Sequence, residues 1–305
     1  MISPLRRKLV STALFLYNPA AGRFPLSEKR LKALLKTLYD YGIRVETAIT
    51  QPSQETPLNL ENKDLLIVYG GDGTLHEAIP EAVKWQVPVA LLPAGTTNVL
   101  ARELGIPRDP ERALSLVPQR KLQRIHLGWG ARGLSPSSPP QAGRYFHLMA
   151  GIGFDGDVIS RTGQHLKKSL GMAAYWLVAH VSLLKYPMTL FELNLEGEVH
   201  QGTFAVIGNA RNYGGELHIT PQASVQENCL DVCLFTSQKR WRYLLYLWGV
   251  LSGRHLRYPD VLYRKVKHLK VSSDCPVPIQ MDGELIGRSP MEFSSSSEVL
   301  QVVVP

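Results

Sequence analysis

The first 125 residues alternate between two hydrophobic periods. Short apolar runs of strand length occur at "LVSTALFLY", "DLLIVY" and "VPVALLP". Between such runs apolar residues recur every three or four positions, as in "SEKRLKALLKTLYDYG", where Ser27 and Gly42 are placed to cap a helix. Strands that alternate with helices predict an α/β domain with a doubly wound parallel sheet covered on both faces.

Three loops follow strands of this predicted sheet: "NPAAGR", "GGDGT" and "PAGTTN". Ligands of such sheets bind beyond the carboxyl ends of the strands, so we expect the three loops at one edge. Glycines in "GGDGT" allow a phosphate to approach the backbone and permit positive φ, and the helix that follows directs its amides at an anion. The spacing matches neither the Walker A loop nor GxGxxG, and a turn without a ligand is the alternative.

Asp72 lies among these glycines. A carboxylate repels a phosphate unless a cation bridges them, so Asp72 indicates a Mg²⁺–nucleotide. The alternative is a turn aspartate that accepts hydrogen bonds from nearby amides. In the neighbouring loops Arg23 supplies a cation and Gly95 allows close approach. Thr96 and Asn98 offer polar groups that could equally cap a helix.

From residue 126 onward the pattern changes to that of an antiparallel, mostly β domain. The expected strands are "YFHLMAGIGF", "MTLFELNLEG", "EVHQGTFAVIGNA", "CLDVCLFT", "VKHLKVSSD", "VPIQMDGELIG" and "EVLQVVVP". Two helices are predicted, around Leu170–Leu184 and Trp241–Leu251, and the segment Gly130–Arg144 has the Gly, Pro and Ser content of a loop. "GIGFDGDV" and "GNARNYGGELHITP" are glycine clusters at strand ends, each explicable as a turn.

Composition supports two globular domains and excludes several classes. The 305 residues are 44% hydrophobic and 20% charged. Three cysteines form no disulfide framework, which favours a reducing cytoplasm. No apolar run reaches the roughly 18–20 residues of a membrane-spanning helix, and the N-terminal apolar run alternates like a strand and lacks a signal-peptide cleavage site. HExxH and GxSxG are absent, so zinc-protease and acyl-transfer chemistry have no support.

The net charge of +8 is concentrated between Lys239 and Lys270, where Asp260 is the only acid. The same region contains the apolar, aromatic run "WRYLLYLWGVL". Cations beside exposed aromatic residues suit an anionic membrane surface. A solvated basic face over an ordinary amphipathic helix is the alternative. No base-reading module is present, so no nucleic-acid partner is expected.

The segment "IQMDGELIG" contains an Asp-Gly pair, which most often forms a hairpin turn. Glu284 follows that pair and is a candidate general base for a hydroxyl group. A carboxylate base assists an attacking alcohol in phosphoryl transfer, where positioning and charge stabilisation do most of the work.

Several motifs occur together in the order and spacing of one family: "YNPAAGR", "VYGGDGTLHEAI", "LPAGTTNVLARELGIP", "GIGFDGDV", "GNARNYGGELHITPQA" and "MDGE". Over essentially its whole length the chain resembles bacterial diacylglycerol kinase-like lipid kinases, whose catalytic domain is similar to those of sphingosine and ceramide kinases. NAD kinases and phosphofructokinases share GGDGT alone, whereas GGDGT followed by PxGTxN and a late DGE is highly specific.

The resemblance implies an NAD-kinase-like, nucleotide-binding α/β domain over residues 1–125 and a β-sandwich-like lipid-substrate domain over 126–296. The final strand, 297–305, can return to the first domain. Glu284 would take the proton from a lipid hydroxyl, Asp282 would support it, and Asp72 would organise the Mg²⁺–phosphate end. The implied nucleotide contacts are Asn18, Pro19, Ala20, Ala21, Gly22, Arg23, Thr50, Gly70, Gly71, Asp72, Gly73, Thr74, Leu75, His76, Gly95, Thr96 and Asn98.

Two positions depart from the family pattern. Asn228 stands where the family has an aspartate that binds a structural Mg²⁺, so a neutral, weaker ligand remains together with the backbone oxygens of Val225 and Leu230. Glu216 stands where the family has a third glycine. Either an additional acid has entered the site, or the substrate or the metal differs.

We therefore expect an ATP- and Mg²⁺-dependent lipid kinase, cytoplasmic and peripherally bound to the inner face of the membrane. Its acceptor is a hydroxyl of diacylglycerol or a related lipid, and no residue of the sequence distinguishes among these lipids. The sequence leaves open whether the protein forms a homodimer. An NAD kinase-like enzyme and a non-catalytic nucleotide- or lipid-binding regulator are the alternatives.

Overall fold

The computed structural model describes residues 10–19, 25–50, 58–132, 143–161, 183, 185–213 and 217–305. The chain divides into two compact units: Met1–Arg124 with Leu300–Pro305, and Ile125–Val299. The predicted site residues Ala20, Ala21, Gly22 and Arg23 lie outside the described residues, as do Glu216 and most of the helix predicted at Leu170–Leu184.

The first unit is built on a parallel sheet, as predicted. Its strands are β1 (Thr12–Tyr17), β2 (Arg44–Ile49), β3 (Leu65–Gly70) and β4 (Val89–Pro93). They lie in the order β2-β1-β3-β4, with every neighbouring pair parallel. All residues of β3 and β4 are buried, which explains why these strands are continuous apolar runs in the sequence.

Four helices accompany this sheet: α1 (Glu28–Asp40), α2 (Asp72–Lys84), α3 (Val99–Glu103) and α4 (Pro110–Leu114). A 3₁₀ turn follows at Val117–Gln119. Ser27 caps α1 by accepting the N–H of Arg30, and Gly42 follows its end with a φ of +77°, as the sequence indicates. Helix α2 begins at Asp72, inside the "GGDGT" loop.

The second unit contains two antiparallel sheets. Its first strands are β5 (Leu122–Arg132, which begins in the first unit and enters the second at Ile125), β6 (Arg144–Phe146), β7 (Met149–Gly153), β8 (Phe191–Leu195), β9 (Glu198–Gly202) and β10 (Phe204–Gly208). The remaining strands are β11 (Leu230–Phe235), β12 (Val261–Val266), β13 (His268–Ser272), β14 (Pro278–Met281), β15 (Glu284–Arg288) and β16 (Met291–Val303). The described part of this unit also contains helices α5 (Phe154–Arg161) and α6 (Arg240–Leu251) and a 3₁₀ turn at His255–Arg257.

One sheet has the order β12-β11-β10-β7-β14-β15, and the other contains β16-β13-β8-β9 with β5 and β6. Buried side chains from both sheets form one hydrophobic core, including Phe191 and Phe293 from one and Ile207 and Leu234 from the other. This confirms the predicted antiparallel, sandwich-like second domain. The end of β16 belongs to the first unit, where Val302 pairs in parallel with Val89.

Three predicted strands are each two strands. "VPIQMDGELIG" forms β14 and β15 on either side of its Asp-Gly pair. "YFHLMAGIGF" divides into β6 and β7, because the N–H groups of residues 147–149 bond the Asp282 side chain. "EVHQGTFAVIGNA" divides into β9 and β10, which lie in different sheets. The change of sheet occurs at Thr203, whose N–H donates to the carbonyl of Phe235. Among the described helices, none is long and apolar enough to cross a bilayer.

Candidate active site

The loops that follow β1, β3 and β4 begin at the same edge of the parallel sheet, as predicted. Of the "NPAAGR" segment after β1, the structure describes only Asn18 and Pro19. The N–H of Asn18 donates to the carbonyl of Tyr69 at 3.2 Å, and that of Ala94 to the carbonyl of Gly70 at 2.8 Å. Thr50, at the end of β2, donates to Tyr17 at 3.0 Å. β2 and β3 lie on opposite sides of β1, so the strand order reverses here. This is where ligands bind in doubly wound sheets.

The glycines of these loops mainly make room for each other. A Cβ on Gly95 would lie 2.6 Å from the Cα of Gly71, and one on Gly70 would lie 2.4 Å from Thr74 Oγ1. Gly70, Gly71 and Gly73 do not use the positive φ that glycine permits, since none of the three has a positive φ. A Cβ on the exposed Gly73 would meet nothing within 4 Å. Gly73 is therefore the glycine of this loop that is open to a ligand.

The Asp72 carboxylate joins the "GGDGT" loop to the helix that follows the "PAGTTN" loop. Its Oδ2 accepts the N–H of Val99 at 2.9 Å, and its Oδ1 accepts the N–H of Leu100 at 3.2 Å. These are the first two amides of α3, so Asp72 caps that helix from a position 27 residues away in the chain. A carboxylate oxygen accepts more than one hydrogen bond, so this arrangement leaves acceptor capacity on both oxygens.

The "PAGTTN" loop is shaped by Asn98, which has a left-handed φ of +48°. Its Oδ1 accepts the N–H of Gly95 at 3.0 Å, and its Nδ2 donates to the Gly95 carbonyl at 2.8 Å. The amide of Asn98 thus fixes the loop, while Thr96 is exposed. Thr96 lines a shallow cavity together with two cations that sequence reasoning did not single out, Arg102 and Arg108.

The N-terminus of α2 has no side-chain cap, because its N-cap residue is Gly71. Its first amides are consequently available to an anion. Thr74, Leu75 and His76 are buried, and the N–H of Leu75 already donates to Gly71. Within the predicted nucleotide loop, the accessible groups are therefore at Gly71–Gly73.

The "MDGE" segment forms the predicted hairpin turn. Asp282 and Gly283 have φ values of +48° and +82°, and Met281 of β14 pairs with Glu284 of β15. Positive φ at both central residues is the type I′ pattern that matches the twist of a hairpin.

Asp282 anchors this turn inside the second unit. Its Oδ1 accepts the N–H groups of Leu148 and Met149 at 2.9 and 3.0 Å, and its Oδ2 accepts that of His147 at 2.9 Å. The same Oδ2 lies 2.7 Å from His147 Nδ1, and the Asp282 side chain is 2% exposed. The carboxylate of Asp282 is thus committed to holding the turn against the segment between β6 and β7.

A second set of contacts that sequence reasoning missed supports the turn. Gln280 accepts the N–H of Gly283 at 2.8 Å and donates to Asp155 Oδ2 at 2.7 Å. Tyr213 donates to the other oxygen of Asp155. A Cβ on Gly151 would lie 1.7 Å from Asp155 Oδ2, so that glycine makes room for the network. Asp155 and Tyr213 fall in two of the glycine clusters that sequence reasoning could explain as turns.

Glu284 differs from its neighbours because solvent reaches it. Its side chain is 50% exposed, and Arg144 Nη1 lies 3.5 Å from its Oε2. An exposed carboxylate on a rigid turn can accept a proton from a bound hydroxyl, and an adjacent cation suits an anionic phosphate.

The residues expected around a structural Mg²⁺ fit that ion poorly. Asn228 is exposed and neutral, and the carbonyl of Val225 accepts the N–H of His126 at 2.7 Å. Leu230 begins β11. The adjacent acid, Glu227, pairs with Lys265 at 2.5 Å. Mg²⁺ requires near-octahedral oxygen ligands with carboxylates among them, so we assign no role to a metal here.

Two family models match the chain. Residues 12–129 match the diacylglycerol kinase catalytic domain, and residues 149–304 match the YegS C-terminal NAD kinase beta sandwich-like domain. The two matches fall on the parallel-sheet region and on the antiparallel sandwich, respectively.

Curated relatives cover nearly the whole chain. The diacylglycerol kinase of Bacillus subtilis (strain 168) is 26% identical over 96% of both chains. The diacylglycerol kinase of Mycobacterium tuberculosis (strain H37Rv) is 27% identical over 99% of this chain and 97% of the relative.

Solved structures from Bacillus anthracis str. Sterne share the fold. A diacylglycerol kinase structure has a TM-score of 0.67 at 17% identity, with 97% of each chain covered. Another structure from that organism has a TM-score of 0.74 at 19% identity and covers 100% of this chain and 99% of that chain.

Proposed function

The chain belongs to the diacylglycerol kinase-like family and is a kinase, and from this premise we propose that it transfers the γ-phosphoryl group of ATP to a hydroxyl of diacylglycerol or a related lipid. The observation that carries the proposal is Glu284, an exposed carboxylate on a turn held by hydrogen bonds of the buried Asp282 and Gln280 side chains. The names of the curated relatives support the lipid acceptor.

In this proposal the first unit binds the nucleotide. Amides at the start of α2 accept the phosphates, and Gly73 allows their close approach. Thr96, Arg102 and Arg108 add polar and cationic groups at the "PAGTTN" loop. Asp72 holds the two loops together and has acceptor capacity for Mg²⁺, which supplies charge neutralisation at the phosphates when bound.

The second unit supplies the base. Glu284 accepts the proton of the lipid hydroxyl as its oxygen attacks the γ-phosphorus. The bond between that phosphorus and the β–γ bridging oxygen breaks, and ADP departs with the electron pair. Arg144 stabilises the negative charge near Glu284. Asp282 and Gln280 do not touch the reacting atoms in this scheme; they position the turn.

The acceptor lipid is left at the level of a class. Diacylglycerol, monoacylglycerol, phosphatidylglycerol, a sphingoid base and a polyprenol all carry a hydroxyl. Since such lipids reside in bilayers, we place the enzyme in the cytoplasm at the inner membrane surface, where ATP is present.

The test is transfer from labelled ATP to a panel of these lipids in detergent micelles, with and without Mg²⁺. Glu284→Gln should lower turnover by about 10²–10⁴-fold while nucleotide binding is retained, because the amide cannot take the proton. Glu198→Gln, which changes an exposed glutamate on β9, is the matched control and should keep full turnover.

Labelled lipid from the wild type and none from Glu284→Gln supports the proposal. Equal turnover by both proteins places the base elsewhere. Metal-dependent ATP binding without labelling of any lipid would instead favour a non-catalytic regulator.

A further inference from the structure

Helix α6 exposes a continuous apolar stripe. Trp241, Leu244, Trp248 and Leu251 are 56%, 52%, 67% and 56% exposed, and they recur at helical spacing. Leu245 adds a less exposed neighbour on the same side. A contiguous patch of large, exposed apolar side chains marks an interaction surface more often than isolated exposed residues do.

The opposite side of α6 is fixed in the second unit. Tyr243 and Tyr246 are buried, and Tyr243 donates to Thr203 Oγ1 at 2.8 Å. The ring of Tyr243 also meets that of Phe154 edge-on at 5.2 Å, at the start of α5. The stripe is therefore held outward by packing and is not a consequence of a loosely placed helix.

Cations surround the two ends of the stripe. Lys239 precedes α6 and Arg240 is its first residue, while Arg254 and Arg257 follow its end. All four side chains are exposed. The helix contains no acid, and the first acid after it in sequence, Asp260, accepts hydrogen bonds from Arg242 and Tyr246. Burial raises the pKa of Asp260, but those two hydrogen bonds outweigh it and hold the pKa below its usual value, so this charge is neutralised locally.

This combination identifies one occupant. An apolar stripe with aromatic residues and a cationic rim matches the interface of a bilayer with anionic headgroups. A second copy docked symmetrically on the same face would place cations against cations. A neutral protein partner would leave the cations without a complementary charge.

We propose that α6 docks the enzyme on anionic membranes, with Trp241, Leu244, Trp248 and Leu251 entering the headgroup boundary and the flanking cations contacting lipid phosphates. This inference rests on the proposed lipid kinase function, because it explains how the base reaches an acceptor that stays in the bilayer. Phe154, which contacts α6, begins the helix that packs on β14, the strand leading into the Glu284 turn.

Co-sedimentation with vesicles tests the proposal. The wild type should bind phosphatidylglycerol vesicles at least about tenfold more tightly than phosphatidylcholine vesicles, with affinity falling as salt rises. Leu244→Gln/Trp248→Gln should lower binding to phosphatidylglycerol vesicles by at least about tenfold. Lys239→Gln/Arg254→Gln should also weaken binding to phosphatidylglycerol vesicles, and this loss of affinity should be larger at low salt than at high salt.

Trp85→Gln/Leu122→Gln is the matched control, since it changes an exposed Trp and an exposed Leu in the first unit. It should bind vesicles like the wild type. Equal vesicle binding by the control and by the α6 variant overturns the proposal. The proposal is also overturned if the wild type sediments as a dimer, the α6 variant sediments as a monomer, and both bind vesicles equally.

A short-chain, water-dispersed diacylglycerol separates this inference from the proposed function. The α6 variant should phosphorylate it at the wild-type rate while losing activity on vesicle-bound diacylglycerol. If the wild type binds vesicles through α6 and phosphorylates neither substrate, the proposed function fails and the docking surface stands. If the α6 variant loses activity on both substrates equally, docking is not the role of α6.

Discussion

Asp72 in the first unit and Asp282 in the second are both aspartates beside glycine in motifs that suggest catalysis. In the structure each accepts backbone N–H groups from a segment distant in sequence. Asp72 accepts two and lies beside the exposed Gly73, whereas the side chain of Asp282 accepts three and is 2% exposed. The difference indicates that Asp282 is a structural anchor, while Asp72 combines capping with access to a ligand.

Removing the Asp282 carboxylate should have the largest effect on stability. Asp282→Asn tolerates the left-handed φ but lacks one charged acceptor, so buried donors at residues 147–149 lose partners. We expect about 3 kcal/mol less free energy of unfolding, measured by denaturant titration. Asp64→Asn is the control: Asp64 also accepts amides of Ser11 and Thr12, but at a site nearer solvent, and should cost about 1 kcal/mol. Equal losses would contradict the assignment of Asp282 as a buried anchor.

A methyl group between the two nucleotide loops should have the next largest effect. Gly95→Ala forces its Cβ toward the Gly71 Cα and should cost about 2 kcal/mol in thermal or denaturant unfolding. Gly73→Ala, which meets no atom within 4 Å at a helical position, should not lower stability but should weaken ATP binding in calorimetry. If Gly73→Ala binds ATP normally, the phosphate does not approach the loop at that residue.

The smallest stability effect should come from the cap made by Asp72. Asp72→Ala should cost about 1 kcal/mol of unfolding free energy, similar to Asp109→Ala, which removes the cap of α4 in the same unit. If Asp72 also serves the Mg²⁺–phosphate end, the turnover of Asp72→Ala should fall by at least about tenfold more than that of Asp109→Ala. Equal turnover in the two variants would restrict Asp72 to capping.

Local patterns predicted the elements well where one element occupies one environment. The buried run "DLLIVY" and the amphipathic α1 agree with the structure because burial on both faces, or on one stripe, leaves a direct trace in the sequence. The same reasoning joined β9 to β10, because the single residue between them, Thr203, is not a turn-forming residue and the change of sheet leaves no trace in the pattern. It also missed the hydrogen bonds of Asp155 with Gln280 and Tyr213, since these partners lie far away in the chain.

The sequence by itself determined the α/β and antiparallel halves, the loop convergence, the Asp-Gly turn and the candidate base, because periodicity and turn chemistry are local. Only the tertiary structure decided which groups are anchors and which are open to solvent. Gly71 and Gly95 serve loop packing, the Asp282 side chain is buried, and Glu284 and Gly73 remain accessible. The physical reason is that solvent exposure and hydrogen-bond partners depend on segments brought together by folding, which residue identity does not specify.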